Sequence, residues 1–299
     1  MTMPEPVTPF DYRTAFSRNI GWVTEEEQQR LRRSRIAIAG MGGVGGSHLL
    51  TLTRLGVGRF HLADFDEFAV ENFNRQAGAN LNTVGRPKLE SLCEMALAIN
   101  PELEIERFEQ GVQPEQAEEF LQGCDLYLDG LDFFAISARR AVFAACERLG
   151  LPAVTAAPLG MGSALLSFLP GSMGFEAYFR LQGQEEYQQY LRFLVGLAPA
   201  RAHAGYLVLP DRIDLIAKKG PSTPMGCELC AGFAASQVLK LLLGRGRVLP
   251  APWGQQFDAY ENRLHRTWRP GGNHHPLQRL AIKLGEQALS QQLRQASTG

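Results

Sequence analysis

Cysteine is scarce and odd in number, no apolar run is long, and neither sign of charge prevails. Five cysteines (Cys93, Cys124, Cys146, Cys227 and Cys230) in 299 residues argue against a disulfide framework and for a reducing compartment. The most apolar window, 154–169, is broken by Pro158, Gly160 and Gly162. A membrane helix needs roughly 20 apolar residues in succession, so this window reads as buried structure. The formal net charge of -1 provides no global positive field to recruit nucleic acid or an anionic membrane. The basic run Arg30, Arg32, Arg33 and Arg35 reads as a solvated helix end. The opening MTMPEPVTPFDY lacks a basic region followed by an apolar stretch, so no secretory signal is expected there and the expected location is cytoplasmic.

What remains is ordinary for a globular chain: 45% hydrophobic and 20% charged residues, enough for one large α/β domain or two small ones. Thr24 with Glu27 three residues on predicts a capped helix to about residue 33; residues 1–15 read as an irregular arm. Residues 35–39 form a short apolar run without alternation, the pattern of a strand covered on both faces. A helix over 45–55, stopped by Gly56 and Gly58, follows. Strands at 60–63, 103–108, 125–128 and from 153 onward then alternate with helices at 87–99, 114–121 and 135–149. This order predicts a Rossmann-like, mostly parallel sheet with helices on both faces. Short strands at 163–169, 205–209, 256–260 and 264–268 suggest an antiparallel extension. Helices are expected at 184–197 and 231–243, with a long loop over 211–226. The last segment, 276–295, has Leu277, Leu280, Leu284, Leu289 and Leu293 near helical spacing and reads as an amphipathic helix or partner-binding tail. The implied division is an arm and helix over 1–34, a nucleotide-binding part over 35–160, and an extension with a crossover loop over 161–299, all in one catalytic domain.

The chemistry gathers behind the predicted strands, where ligands of such sheets sit. Gly40-Met-Gly42-Gly43-Val-Gly45 is a G-x-G-x-x-G loop between a strand and a helix. Its glycines let backbone N–H groups and a helix N-terminus approach phosphates. Asp64, ending the second strand about 20 residues on, is placed to accept bonds from ribose hydroxyls, and Asp66 is counted with it. A dinucleotide enzyme needs nothing more. It leaves Asn72, Arg75, Gln76 and Lys88 idle, although these groups could clamp a triphosphate and the departing pyrophosphate. Asp132, in Asp129-Gly-Leu-Asp132, follows the fourth strand. It could hold Mg²⁺, which takes one or two carboxylates plus waters and phosphates; either aspartate could equally cap the next helix.

The series G-x-G-G-x-G, D-F-D, N-x-x-R-Q, V-G-x-P-K and D-x-x-D, preceded by Phe16-Ser-Arg18-Asn-Ile20, closely resembles the ThiF/MoeB/HesA family, relatives of the ubiquitin-activating enzymes, over about residues 17–160. The resemblance implies that Gly42 and Gly45 border the nucleotide and that Asp64 contacts the ribose. It further implies that Asn72, Arg75 and Lys88 bind phosphates, Gln76 lines the site, Asp132 binds Mg²⁺, and Arg18 acts across a homodimer. The implied reaction is attack of a substrate carboxylate on the α-phosphorus of ATP. The product is an acyl-adenylate, and the catalytic set is Arg18, Arg75, Lys88 and Asp132.

The sequence departs from that family pattern in two places. Many members carry two Cys-x-x-Cys pairs that make a Cys₄ zinc site. Here only Cys227-Glu-Leu-Cys230 is present, and the first pair is replaced by Phe175-Glu-Ala-Tyr-Phe179, so no zinc site is expected. Cys227 and Cys230 read as buried, or else as a redox or acyl-accepting thiol at a helix N-terminus, where thiol pKa values fall. Residues 156–226, where thioester-forming relatives place a reactive cysteine, contain none. The reaction is therefore expected to stop at the adenylate. The expected substrate is the C-terminus of a ubiquitin-like or sulfur-carrier protein, or of a peptide. A small or tRNA-borne carboxylate, as in the threonylcarbamoyl-adenosine dehydratase branch, is the alternative. An NAD(P)-dependent oxidoreductase or a silent scaffold is less favoured, since each leaves the charged set unused. The loop Lys218-Lys-Gly-Pro-Ser-Thr-Pro224 is expected to cover the site or bind substrate.

Overall fold

A computed structural model describes residues 9–215 and 217–296. Asp11 caps a single helical turn, α1 (Tyr12–Ala15). The next helix, α2 (Glu25–Arg33), starts with a full capping box: Glu27 N–H donates to Thr24 Oγ1 at 3.2 Å, and Thr24 N–H to Glu27 Oε2 at 3.0 Å. β1 (Arg35–Ala39), α3 (Gly45–Leu55), β2 (Arg59–Ala63), α4 (Lys88–Ile99), β3 (Glu104–Phe108), α5 (Ala117–Leu121), β4 (Leu126–Asp129), α6 (Ile136–Leu149) and β5 (Ala153–Leu159) then alternate. The chain continues through β6 (Gly162–Phe168), α7 (Phe175–Phe179), α8 (Glu186–Leu197), α9 (Pro224–Leu243), β7 (Trp253–Asp258), β8 (Arg263–Trp268) and α10 (Pro276–Ala296).

All eight strands form one sheet in the order β3-β2-β1-β4-β5-β6-β7-β8. The first five run parallel, and β6, β7 and β8 are added antiparallel. Strand order reverses between β1 and β4, which opens a crevice at their carboxyl ends. Side chains of the central strands alternate between two cores. Ile36, Ile38, Leu126 and Leu128 pack with α3, α4 and α9, whereas Ala37, Ala39 and Tyr127 pack with α5, α6 and α8. Both faces being covered explains the uninterrupted apolar runs of β1 and β4. α9 spans 20 residues and is apolar enough by length and composition to cross a bilayer. Here Cys227, Cys230, Ala231, Ala234 and Val238 bury it in the core, against β5, β6 and α3.

The expected strand at 205–209 does not form. Residues Ala202–Tyr206 make a 3-10 helix, and the Tyr206 hydroxyl donates to Asp258 Oδ2 and accepts from Met161 N–H, both at 2.7 Å. A side chain rather than a ladder thus anchors this segment. Val208 and Leu209 are exposed, and Pro210 removes a donor. Two α-helices were not expected: α1, whose Tyr12 hydroxyl donates to Gly56 O at 2.5 Å, and α7, which buries Phe175, Tyr178 and Phe179. α9 begins at Pro224, ahead of the expected residue 231, because Thr223 caps it and proline occupies its first turn. Along α10, Ile282 is buried while Leu277, Leu280 and Leu284 are exposed; the side chains of Leu289 and Leu293 lie outside the described residues.

His48 on α3 is fully buried, and neither ring nitrogen has a partner among the described residues. Burial lowers its pKa from 6.5 to about 4, with the charge of Asp129 acting weakly the other way. Between these values the unfolded chain binds the extra proton and the folded chain does not, so stability falls as pH drops from about 6.5 to about 4. Wild type is expected to lose about 2–3 kcal/mol more than His48→Met between pH 7 and 4.5 in denaturant unfolding. Parallel losses in the two proteins would contradict this assignment.

Candidate active site

The site begins where β1 runs out. Gly40 has φ +86° and donates its N–H to Ala63 O, while Gly130 N–H donates to Ala39 O, so both extend the sheet past the named strands. A Cβ on Gly45 would coincide with the Gly40 carbonyl oxygen, and one on Gly130 would lie 2.6 Å from that oxygen and 2.9 Å from Gly45 Cα. These three glycines therefore serve backbone-to-backbone packing. Gly42 and Gly43 differ: a Cβ on Gly42 would meet only Gln76 Nε2, at 3.8 Å, and one on Gly43 would lie 3.4 Å from Cys227 Sγ and 3.6 Å from Arg75 Nε. The two glycines keep a floor open beneath Gln76 and Arg75.

A relay of short contacts ties this loop to the ends of β2 and α4. Met41 N–H donates to Asp64 Oδ2 at 2.5 Å, and Asp66 N–H donates to Asp64 Oδ1 at 2.7 Å. Lys88 Nζ lies 3.0 Å from Asp66 Oδ2, and Lys88 N–H donates to Asp66 O at 2.9 Å. Burial pushes the Asp64 carboxyl above its usual value, against the two N–H bonds and Lys88. Lys88 is only 6% exposed, so its ammonium is held on a buried stem at the start of α4. Asn72 is buried and its side-chain oxygen accepts from Ala69 N–H at 3.0 Å, closing the turn that delivers Arg75 and Gln76. Arg75 Nη1 donates to Glu71 O and Asn74 Oδ1. The buried Gln76 Oε1 has no partner among the described residues, and the same amide's Nε2 borders Gly42.

Asp132 is exposed in the turn after β4. Its Oδ1 accepts from Phe134 N–H at 2.9 Å, and its other oxygen has no protein partner among the described residues. One free carboxylate oxygen in the turn beside the glycine loop fits Mg²⁺, which is usually held by one or two carboxylates, waters and phosphates. Asp129 is a different case: it is buried, and it receives Arg139 Nε at 2.7 Å, Thr155 Oγ1 at 2.8 Å and Tyr127 OH at 3.2 Å. Arg18 is exposed on the 3-10 turn Ser17–Asn19. The adjacent Asn19 donates to Leu55 O, at the end of α3 away from the glycine loop and separated from it by about 16 Å of helix. Within one chain, Arg18 is not brought to the other candidates.

Residues not anticipated from the motif include Gly130, Thr155, Arg139, Asn74 and Ser222. Asn74 Nδ2 donates to Ser222 O at 3.0 Å, pinning the long loop before α9 to the Arg75 turn. On the other side, Lys218 Nζ pairs with Glu186 at 2.9 Å and lies 5.7 Å from the Tyr190 ring centroid, and Tyr190 packs edge-on against Phe134. The loop thus runs from beside Arg75 to beside the Asp132 turn. Of these contacts, only Gly130 has a local signal in the sequence, as the glycine inside Asp129-Gly-Leu-Asp132. Cys227 sits in the first turn of α9, but burial raises its pKa despite Ser222 and Arg75, and Cys230 is pushed up to about 12. Burial outweighs the helix end, so neither thiol is activated. No cluster of three metal-ligating side chains occurs among the described residues.

Residues 16–279 match the ThiF family. The chain belongs to that family. It is 32% identical over 232 residues to the sulfur carrier protein ThiS adenylyltransferase of Escherichia coli, covering 77% of this chain and 90% of that protein. It is 34% identical over 147 residues to the vegetative HesA protein of Trichormus variabilis, covering 49% of this chain and 55% of HesA. The ThiF-family chain thus spans about half the length of several of the curated relatives it matches. Escherichia coli MccB, solved with ATP, superposes with a TM-score of 0.63 at 18% identity, covering 87% of this chain and 73% of MccB, which establishes a shared fold.

The glycine junction gives a direct test. Gly130→Ala should destabilise the protein by about 1–3 kcal/mol, because only backbone atoms are available to yield, and lower Tm by roughly 2–4 °C per kcal/mol. Gly232→Ala, on an exposed helical position with open space around it, should stabilise by about 0.5–1 kcal/mol. Equal Tm values for the two variants would show that the junction is not tightly packed.

Proposed function

We propose that this ThiF-family chain adenylates a carboxylate, with ATP bound across the carboxyl ends of β1, β2 and β4. The observation that carries the reading is the grouping around the open floor at Gly42 and Gly43. A guanidinium, a buried lysine, an amide whose oxygen has no partner among the described residues, and a carboxylate all stand beyond the carboxyl ends of the central strands. A dinucleotide has no use for that set, whereas a triphosphate has a use for each member.

In this reading the substrate carboxylate attacks the α-phosphorus. The new P–O bond forms as the bond to the β-phosphate oxygen breaks, and pyrophosphate leaves. Arg75 and Lys88 hold the phosphates and neutralise charge growing on the leaving group. Asn72 fixes the turn that presents Arg75, Gln76 lines the floor, and Asp64 and Asp66 receive the ribose side. Asp132 would hold Mg²⁺, which supplies further charge neutralisation. No protein nucleophile is required, because alignment and electrostatics carry the step. The buried, unactivated Cys227 and Cys230, and the lack of any cysteine over 156–226, support release of the acyl group to an external nucleophile. Arg18 is assigned to the neighbouring site of a homodimer. Its distance from its own site and the exposed Ile20 and Trp22 beside it support that assignment. The acyl donor is the C-terminus of a carrier protein or peptide, reached beneath the Lys218 loop.

Candidate carboxylate donors should support ATP–pyrophosphate exchange. Arg75→Ala and Asp132→Ala should each reduce exchange by about 10²-fold or more, the scale seen when a charge-stabilising donor is removed from an active site. Thermal stabilisation by NAD rather than ATP, or exchange that survives both substitutions, would end the reading.

A further inference from the structure

The turn bearing Asp132 is not free to choose its shape. Leu131 O, the carbonyl of the residue before Asp132, accepts from Arg139 Nη2 at 2.7 Å, and Phe133 O, the carbonyl of the residue after it, accepts from Arg139 Nη1 at 3.3 Å. Leu131 N–H donates to Asp129 Oδ1 at 3.2 Å, and Ala135 N–H to Asp132 O at 3.0 Å. One guanidinium therefore brackets the aspartate on both sides.

That guanidinium is itself fixed from behind. Its Nε lies 2.7 Å from Asp129 Oδ2, with the two side chains 3% and 1% exposed. Its plane lies over the Phe193 ring, 4.6 Å from the centroid. Asp129 is in turn held by Thr155 on β5 and Tyr127 on β4. A buried ion pair gains little net stability over an apolar replacement, because desolvation offsets its attraction. What the rigid fork of arginine does provide is several donors at fixed angles. The next residue shows the contrast: Arg140 Nε pairs with Glu176 Oε2 at 2.8 Å on the part-exposed surface.

We propose that Arg139 is a positioning residue for Asp132: by clamping the carbonyls on either side, it aims the carboxylate at the cation that accompanies the triphosphate. The inference rests on the adenylation reading and deepens it. Arg139 touches neither nucleotide nor cation. It converts the stiffness of β4, β5 and α6 into a fixed carboxylate direction. Lysine at this position reaches Asp129 or one carbonyl, but not all three oxygens.

The test is calorimetric binding of ATP to the full chain across a Mg²⁺ titration. Arg139→Lys should raise the Mg²⁺ concentration that gives half the maximal gain in ATP affinity by about tenfold, the low end of the cost of removing a group that orients a metal ligand. ATP affinity without Mg²⁺ should change less than twofold, and Arg140→Ala should leave both quantities unchanged. The double variant Asp129→Asn with Arg139→Gln, which leaves no orphaned buried charge, should behave like Arg139→Lys. A folded Arg139→Lys protein with wild-type Mg²⁺ dependence overturns the proposal, as does an equal loss of affinity with and without Mg²⁺. Wild-type protein whose ATP binding ignores Mg²⁺ overturns the adenylation reading itself. Amide exchange of the wild-type chain tests the clamp without any variant. Leu131 and Phe134 should exchange as slowly as β4, and exchange at the rate of the exposed 207–212 loop overturns the proposal.

Discussion

Where β1 and β4 end, three stretches of backbone meet without room for a single side chain. The Gly40 carbonyl occupies the space that a Cβ on Gly45 or Gly130 would need, so the start of α3, the glycine loop and the Asp132 turn are locked together by contact between main chains. Main-chain contacts of this kind cannot be relieved by rotating a side chain, so the relative placement of the two arms of the crevice is fixed by geometry. The sheet switches strand order at this same point, which is why the crevice opens here rather than elsewhere along the edge.

On that frame the polar groups are held in advance of any ligand. Asp64 and Asp66 link the loop after β1 to the ammonium of Lys88; Asn72 shapes the turn bearing Arg75; Asp129 and Arg139 shape the turn bearing Asp132. Arg75 and Asp132 are thus each supported by a polar group more buried than they are, whereas Lys88 is itself buried and pairs with the more exposed Asp66. A preorganised site of this type stabilises charge in a reaction without having to reorganise during it. The long loop between α8 and α9 is tied at one side by Asn74 and at the other by Glu186, and it bridges the two turns.

Much of this was legible in the residues themselves. An apolar run without alternation marked β1, the Thr24–Glu27 pair marked α2, and the glycine loop with its trailing aspartate placed the crevice. Those signals are local, or repeat at a fixed spacing. What escaped was long-range. Tyr206 reaches across to Asp258 and turns an apolar stretch into a 3-10 turn, which no periodicity announces. Phe175-Glu-Ala-Tyr-Phe179 is too short to show helical spacing, yet burial of its three rings makes it a helix. Arg139 looks like any arginine on an amphipathic helix; only the folded chain shows that it points inward to Asp129 while Arg140 points out. The thiol at the α9 N-terminus raised the opposite problem, because a helix end lowers a pKa only where water or charge can reach it, and Cys227 is buried.

The central claim is that this crevice accepts a triphosphate with its cation. A crystal structure of the full chain grown with Mg²⁺ and a non-hydrolysable ATP analogue addresses it most directly. The account expects the phosphates over Gly42 and Gly43, within hydrogen-bonding reach of Arg75 and Lys88, with the cation on the free oxygen of Asp132. Phosphates bound elsewhere, or Arg75 and Lys88 left pointing into solvent with the nucleotide in place, would contradict it.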